Sequence, residues 1–278
     1  MRAALIQITS GEDPGANLDV VRNRLREAKS GDADFALTPE VTNCISGSHK
    51  HQASVFSLQQ DDSTLATIRE DARALGLWVL IGSLGMQTQD TDGRFANRSF
   101  LISPQGQILG QYDKIHMFDV DVSKSETYRE SARYRPGNKA VIAETDFGKV
   151  GLSICYDLRF AYLYRALAQA GATILTVPSA FSPVTGKAHW EPLLRARAIE
   201  TGSFVLAPAQ TGLHYVMNGK ARRTHGHSMA ISPWGDVLVD GGTECGISFV
   251  NLDLAQVKQA RQRIAALTHD RSFDGPST

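Results

Sequence analysis

Three residues of this chain, each at the end of an apolar run, could together cleave an acyl bond: Cys155, Glu40 and Lys114. Cys155 follows the run 148–154 and precedes Leu163, Leu167 and Ala170 at helical spacing, so a strand delivers it to a turn where a helix begins. Backbone N–H groups and the helix dipole would then point at the thiol and lower its pKa, which suits a nucleophile. The same placement equally suits a buried, inert cysteine.

A nucleophilic thiol needs a base and a group that holds the carbonyl oxygen as it becomes an oxyanion. Glu40 follows Pro39 at the end of a strand predicted over 34–38, where a carboxylate has little place unless the strand end faces a cleft. An exposed loop acid or a cap on the next turn is the alternative. Lys114, in Tyr112-Asp113-Lys114-Ile115-His116, follows another apolar strand and would stabilise a tetrahedral intermediate through its charge. Its alternative is a surface lysine paired with Asp113.

The elements that must position these side chains open as β-α-β-α-β. Strands are predicted over 3–8, 34–38 and 78–81, with helices marked by Leu18, Val21, Leu25 and Ala28 and by Leu65, Ile68, Ala72 and Leu75. Strands 99–103 and 108–112 flank Pro104-Gln105-Gly106-Gln107 as a hairpin. Residues 118–139, charged and holding Pro136-Gly137, read as a long irregular loop bordering the site. The alternation resumes with strands 148–154, 173–177 and 204–207 and a helix over 188–200. Strands near 229–232, 237–239 and 247–251 and a helix from about 254 to 266 complete the chain. The expectation is a single α/β domain over 1–278, with a core of about 1–250 and a helix and tail over 251–278. Its architecture would be a four-layer α-β-β-α sandwich with mixed sheets.

Composition narrows the partners. Of the 278 residues 42% are hydrophobic and 21% charged, an ordinary globular balance, and 29 basic against 29 acidic residues give a net charge of zero. Neither nucleic acid nor an anionic membrane is favoured, and a small molecule is. Lys220, Arg222 and Arg223 beside His225 lack interleaved aromatics and read as a solvated loop. No run approaches a membrane span, so a cytoplasmic protein is expected. Cys44, Cys155 and Cys245 lack C-x-x-C spacing, and the pairs His49/His51 and His225/His227 lack further ligands at suitable spacing; no disulfide framework and no metal site are predicted. Cys44 and Cys245 read as bystanders.

Thr38-Pro39-Glu40, Tyr112-Asp113-Lys114-Ile115-His116 and Gly151-Leu152-Ser153-Ile154-Cys155-Tyr156-Asp157-Leu158-Arg159-Phe160 resemble, in order and spacing, the three signature segments of the nitrilase superfamily of carbon–nitrogen hydrolases. The likeness extends over nearly the whole chain, including Pro178-Ser179-Ala180-Phe181, Thr185-Gly186-Lys187-Ala188-His189-Trp190 and His227-Ser228-Met229. It implies Glu40 as general base, Lys114 as stabiliser of the intermediate and Cys155 as nucleophile. Tyr128-Arg129-Glu130-Ser131 resembles the stretch carrying a second glutamate, so Glu130 would position Lys114 or assist proton transfer, with a loop carboxylate as the alternative. The backbone N–H of Tyr156 would share the oxyanion, ammonia would leave first, and water would hydrolyse the thioester without any cofactor.

Cys155-Tyr156-Asp157-Leu158-Arg159-Phe160 is similar to amidases of small dicarboxylate monoamides rather than to nitrilases, which carry Cys-Trp-Glu. The nearest branch hydrolyses deaminated glutathione; its sister, ω-amidase acting on 2-oxoglutaramate, has glycine at the position of Ser179. A nitrilase, a carbamoylase or a non-catalytic scaffold are further alternatives. Arg159, Phe181 and Thr185 are the candidate substrate-binding residues. Ala161-Tyr162 stands where the branch has Pro-Glu, a departure bearing on pocket shape. The resemblance also implies a homo-oligomer built from stacked sandwiches, to which an apolar face of Phe160, Tyr162, Leu163 and Leu167 could contribute.

Overall fold

Leu5 and Ile6 are neighbours in sequence but belong to different cores in the computed structural model, which describes residues 1–123, 126–216 and 221–276. Their strand, β1 (Arg2–Gln7), is followed by α1 (Pro14–Ser30), β2 (Phe35–Leu37), the short α2 (His49–Val55), α3 (Ser63–Leu75) and β3 (Trp78–Met86). Next come β4 (Ala96–Ile102) and β5 (Ile108–Asp113), then a small hairpin of β6 (Asp119–Ser123) and β7 (Glu126–Arg129). The second half contains β8 (Val141–Thr145), β9 (Gly148–Leu152), α4 (Ala161–Gln169), β10 (Ile174–Thr176), α5 (Pro183–Thr201) and β11 (Phe204–Ala207). A second hairpin, β12 (Thr211–His214) with β13 (Arg222–His225), leads to β14 (Met229–Ile231), β15 (Val237–Asp240), β16 (Gly246–Asn251) and α6 (Ala255–Arg263).

Two six-stranded sheets result, ordered β16-β1-β2-β3-β4-β5 and β15-β14-β11-β10-β9-β8. Each has a parallel centre, β1-β2-β3 or β9-β10-β11, flanked by antiparallel strands. Because side chains alternate across a strand, Leu5, Phe35, Leu37 and Leu80 join the core that holds Leu152 and Leu175 of the second sheet. Ala4, Ile6, Ala36 and Val79 point the other way, to Val21 and Leu25 of α1 and Ile68 and Ala72 of α3. Leu163 and Leu167 of α4 and Leu194 of α5 pack on the second sheet. The layers therefore run α-β-β-α, as predicted. Each fully buried Leu or Ile contributes roughly 1.5–3 kcal/mol to this arrangement.

Helix starts follow local chemistry. Asp13 accepts from the N–H groups of Gly15 and Ala16 ahead of α1, with Pro14 at the first helical position, and Asp62 accepts from Leu65 ahead of α3.

Several expectations change. The stretch 118–139 is not irregular: it holds the β6–β7 hairpin and a 3-10 turn, Glu130–Ala132, although residues 124–125 lie outside the described ones. The alternation Asp119-Val120-Asp121-Val122 is a strand pattern that the charge of the stretch obscured. The segment after Cys155 opens as a 3-10 turn, Cys155–Arg159, and α4 begins only at Ala161. α2, β8 and the β12–β13 hairpin were not predicted. Lys220 of the basic cluster lies outside the described residues. Leu163 and Leu167 turn inward, so of the proposed apolar face only Tyr162 is largely exposed, at 65%. Among the described residues no helix is long and apolar enough to cross a membrane.

Candidate active site

Glu40, Lys114 and Cys155 lie just beyond the C-terminal ends of β2, β5 and β9, and all three are buried. They come from both sheets, which meet closely here. A Cβ on Gly82 of β3 would stand 2.0 Å from the carbonyl oxygen of Thr38 and 2.4 Å from that of Pro39, so only glycine lets β3 approach the segment carrying Glu40. Val41 and Cys155 adopt left-handed backbone, with φ of 48° and 50°. Such strain in non-glycine residues persists where surrounding bonds over-determine it. The N–H of Val41 donates to Ser83 Oγ at 2.8 Å, and that of Cys155 to the carbonyl of Pro178 at 3.0 Å.

Lys114 is enclosed between two carboxylates. Its Nζ lies 2.9 Å from Glu40 Oε1 and 3.0 and 2.9 Å from the two oxygens of Glu130. Asp113, its alternative partner, is instead paired with Arg98 and Arg135. Asn97 of β4 donates from Nδ2 to Glu40 Oε1 at 2.9 Å and to Glu130 Oε1 at 3.4 Å, and the N–H of Ala180 donates to Glu40 Oε2 at 2.9 Å. Glu130 is further fixed by the N–H of Phe118 at 2.6 Å. The Cys155 thiol also acts on Glu40, favouring its ionised form.

These contacts set the protonation states. Burial pushes the Glu40 carboxyl upward, but the charge and hydrogen bond of Lys114, with help from Cys155 and Arg222, outweigh it and hold Glu40 below its ordinary value. Burial would lower Lys114, yet Glu130 and Glu40 carry it well above its ordinary value. The thiol departs from expectation: burial first, then the charge of Glu40, push Cys155 up, against the opposing effects of Lys114 and the Ala180 N–H. A resting thiol beside an ionised carboxylate replaces the depressed thiol inferred from the turn alone.

The turn that opens at Cys155 is braced by Asp157, which is fully buried. Its carboxylate accepts from Tyr112 Oη at 2.7 Å, from the Ile154 N–H at 2.9 Å and from the His116 N–H at 3.0 Å, and pairs with His116 Nδ1 at 2.7 Å. Tyr162 Oη contacts His116 Nε2 at 2.5 Å, so the residue expected to reshape the pocket is tied to the back of this brace.

A cavity of about 850 Å³ opens over these groups, lined by Glu40, Lys114, Glu130, Cys155 and Tyr156 and by Phe181 and Thr185 at the start of α5. Arg159 is not among its lining residues: the guanidinium carbon lies over the Tyr156 and Phe181 rings, 5.8 and 5.9 Å from their centres, and Nη2 meets His189 Nδ1 at 3.2 Å. The segment 118–139 does border the site, through Phe118, residues 126–130 and residues 132–134. Cys44 also lines the cavity, its thiol raised to about 12, chiefly by burial. Of the paired histidines, His225 and His227 stack 4.6 Å apart and His227 pairs with Asp240, while His51 meets the Glu12 carbonyl.

Two cavity residues escaped the sequence: Asn97 and Arg222. Asn97 is followed directly by Arg98 and Ser99, so nothing in the local pattern set it apart. Arg222, read as part of a solvated loop, enters the wall because α5 passes close beneath its hairpin, where a Cβ on Gly186 would stand 2.2 Å from the His225 ring.

Residues 2–262 match the carbon-nitrogen hydrolase family. The chain belongs to that family. Among carbon-nitrogen hydrolases it is similar to the deaminated glutathione amidase of Yersinia enterocolitica, 39% identical over 272 residues that make up 96% of this chain and 92% of that one. Among solved structures, the NitFhit protein of C. elegans superposes over 97% of this chain with a TM-score of 0.88 at 32% identity, and this chain spans 65% of that longer one. An amidase from Nesterenkonia sp. AN1, in a structure with acrylamide added at its active site cysteine, superposes with a TM-score of 0.77 at 25% identity, covering 95% of this chain and 98% of that one.

Proposed function

We propose that this carbon-nitrogen hydrolase is an amidase of deaminated glutathione, acting through a thioester on Cys155. The observation that carries the chemistry is the buried Glu40–Lys114–Glu130 cluster around a protonated thiol at the floor of a large cavity. The substrate comes from the likeness to deaminated glutathione amidases.

Glu40, held ionised, takes the proton of Cys155 as sulfur attacks the amide carbon. Lys114 and the Tyr156 N–H stabilise the oxyanion, and Glu40 returns the proton to the leaving nitrogen. Because the amide nitrogen of deaminated glutathione belongs to cysteine, the amine that leaves is cysteinylglycine; this corrects the expectation of ammonia, which only a primary amide releases. Water, deprotonated by Glu40, then attacks the thioester, the 2-oxo dicarboxylic acid departs, and the thiol is restored. Glu130 keeps Lys114 charged and in place throughout.

The test compares release of cysteinylglycine from deaminated glutathione with release of ammonia from 2-oxoglutaramate, using Cys155→Ala as control. Preference for the first, abolished in the variant, supports the assignment. Preference for 2-oxoglutaramate makes the protein an ω-amidase, and activity that survives in Cys155→Ala removes the thioester mechanism.

A further inference from the structure

We propose that Arg222 is a specificity-determining residue that receives the carboxylate at the far end of the leaving amine, an inference that rests on the amidase assignment above.

Arg222 opens β13 and lines the same cavity as Cys155. Its Nη2 donates to the carbonyl of Ala180 at 2.5 Å, and its guanidinium carbon stands 5.6 Å from the centre of the Tyr128 ring. Among the described residues its enclosed Nε has no hydrogen-bond partner and no carboxylate pairs with it. A guanidinium carries five donors in a rigid fork matched to a carboxylate, and an enclosed Nε–H left without an acceptor is costly. An anionic ligand removes that cost.

The other cations near the site are committed or set back. Lys114 is shared between Glu40 and Glu130, Arg129 pairs with Asp121, and Arg159 does not line the cavity. Arg133 and Arg223 line the cavity too, but the anchor on Ala180 distinguishes Arg222. Across the hairpin, His214 faces Arg222 in register and is kept neutral, its pKa lowered to about 4 chiefly by burial, so it does not compete for an anion.

The position of Arg222 selects the end of the substrate it meets. Glu40 must face the leaving nitrogen to protonate it, and Glu40 Oε2 accepts the N–H of Ala180, the residue whose carbonyl holds Arg222. The charge of Arg222 also acts on Glu40. Arg222 therefore belongs to the leaving-group side. Deaminated glutathione carries one carboxylate on the acyl side and another at the end of cysteinylglycine, and two extended residues reach about 7 Å. That second carboxylate is the one a primary amide lacks.

The experiment measures kcat/KM of the wild type, Arg222→Met and Arg222→Lys on deaminated glutathione and on its analogue with a C-terminal primary amide in place of the glycine carboxylate. Wild type is expected to favour the acid by roughly tenfold to a hundredfold, the range for a hydrogen bond between charged groups. Arg222→Met should bring that ratio to about one, and Arg222→Lys should retain part of it, since an ammonium supplies charge without the fork. If Arg222→Met does not fold, Arg222→Gln, which can still donate to Ala180, takes its place. A ratio unchanged by the substitution, or a wild type that treats both compounds alike, overturns the role of Arg222 and leaves the amidase assignment standing. A wild type that cleaves neither compound overturns both.

Discussion

Lys114 Nζ lies 2.9 Å from Glu40 Oε1, and both side chains are buried although 74 residues separate them. On the proposed mechanism the lysine does two things: it holds the oxyanion, and it keeps Glu40 ionised. Removing it leaves the carboxylates of Glu40 and Glu130 enclosed without the cation that contacts both. Lys114→Met is expected to lower kcat/KM by roughly a thousandfold and to destabilise the protein by about 3–5 kcal/mol, as when one partner of a buried ion pair is lost. Steady-state kinetics and urea unfolding check the two effects separately.

Asn97 donates to the same Glu40 oxygen that Lys114 contacts. Asn97→Leu removes a donor that favours the ionised carboxylate, so the Glu40 pKa should rise and the acid limb of the rate profile should move to higher pH by about one unit. A profile that superposes on wild type would show that Asn97 does not position the base.

The pH profile itself follows from the directions of the shifts. Glu40 is held below its ordinary 4.5 and must be ionised to act, so activity should persist at pH 4.5 and fall only as pH drops through the lowered pKa. Lys114 is carried well above its ordinary 10.5 and should impose no alkaline limb below that pH. Measurement of kcat/KM across this range should therefore give a broad plateau; a limb centred near neutrality would mean that another group controls the reaction.

His214 makes stability depend on pH. It is fully buried, bonded to the Ser10 carbonyl at 2.8 Å and to Thr224 Oγ1 at 2.7 Å, and its pKa is lowered from 6.5 to about 4, chiefly by burial. Between these values the unfolded chain binds more protons, so stability rises with pH and is lost as pH falls, by about 3 kcal/mol in all. Urea unfolding at both ends of the interval should reveal the loss, and His214→Gln should reduce it. An equal slope in the variant would assign the pH dependence elsewhere.

What could be read from the sequence divides along physical lines. The local pattern left Glu40, Lys114 and Cys155 each with a bland alternative, and it was the likeness of their three segments to the nitrilase signature that singled them out; the layer order followed from β-α-β alternation. Asn97 and Arg222 did not stand out, because their roles depend on which strands lie side by side. The thiol was misjudged for the same reason: the local turn favours a low pKa, while burial and the charge of Glu40, distant in sequence, reverse it. The paired strands β6–β7 and β12–β13 are short and rich in polar residues, so the alternation in Asp119-Val120-Asp121-Val122 was too brief to stand out.

The pairing of β1 with β16, from Arg2 opposite Asn251 to Gln7 opposite Gly246, gives synthesis of the chain a fixed order of events. During translation β2 can cover one edge of β1 early, but the other edge of Ala3–Gln7 stays open until residues 246–251 emerge. An uncovered apolar strand is a template for pairing with another chain, so the nascent protein carries an aggregation hazard through most of its synthesis. Closing so long a loop also makes completion of the first sheet a slow, late step of folding.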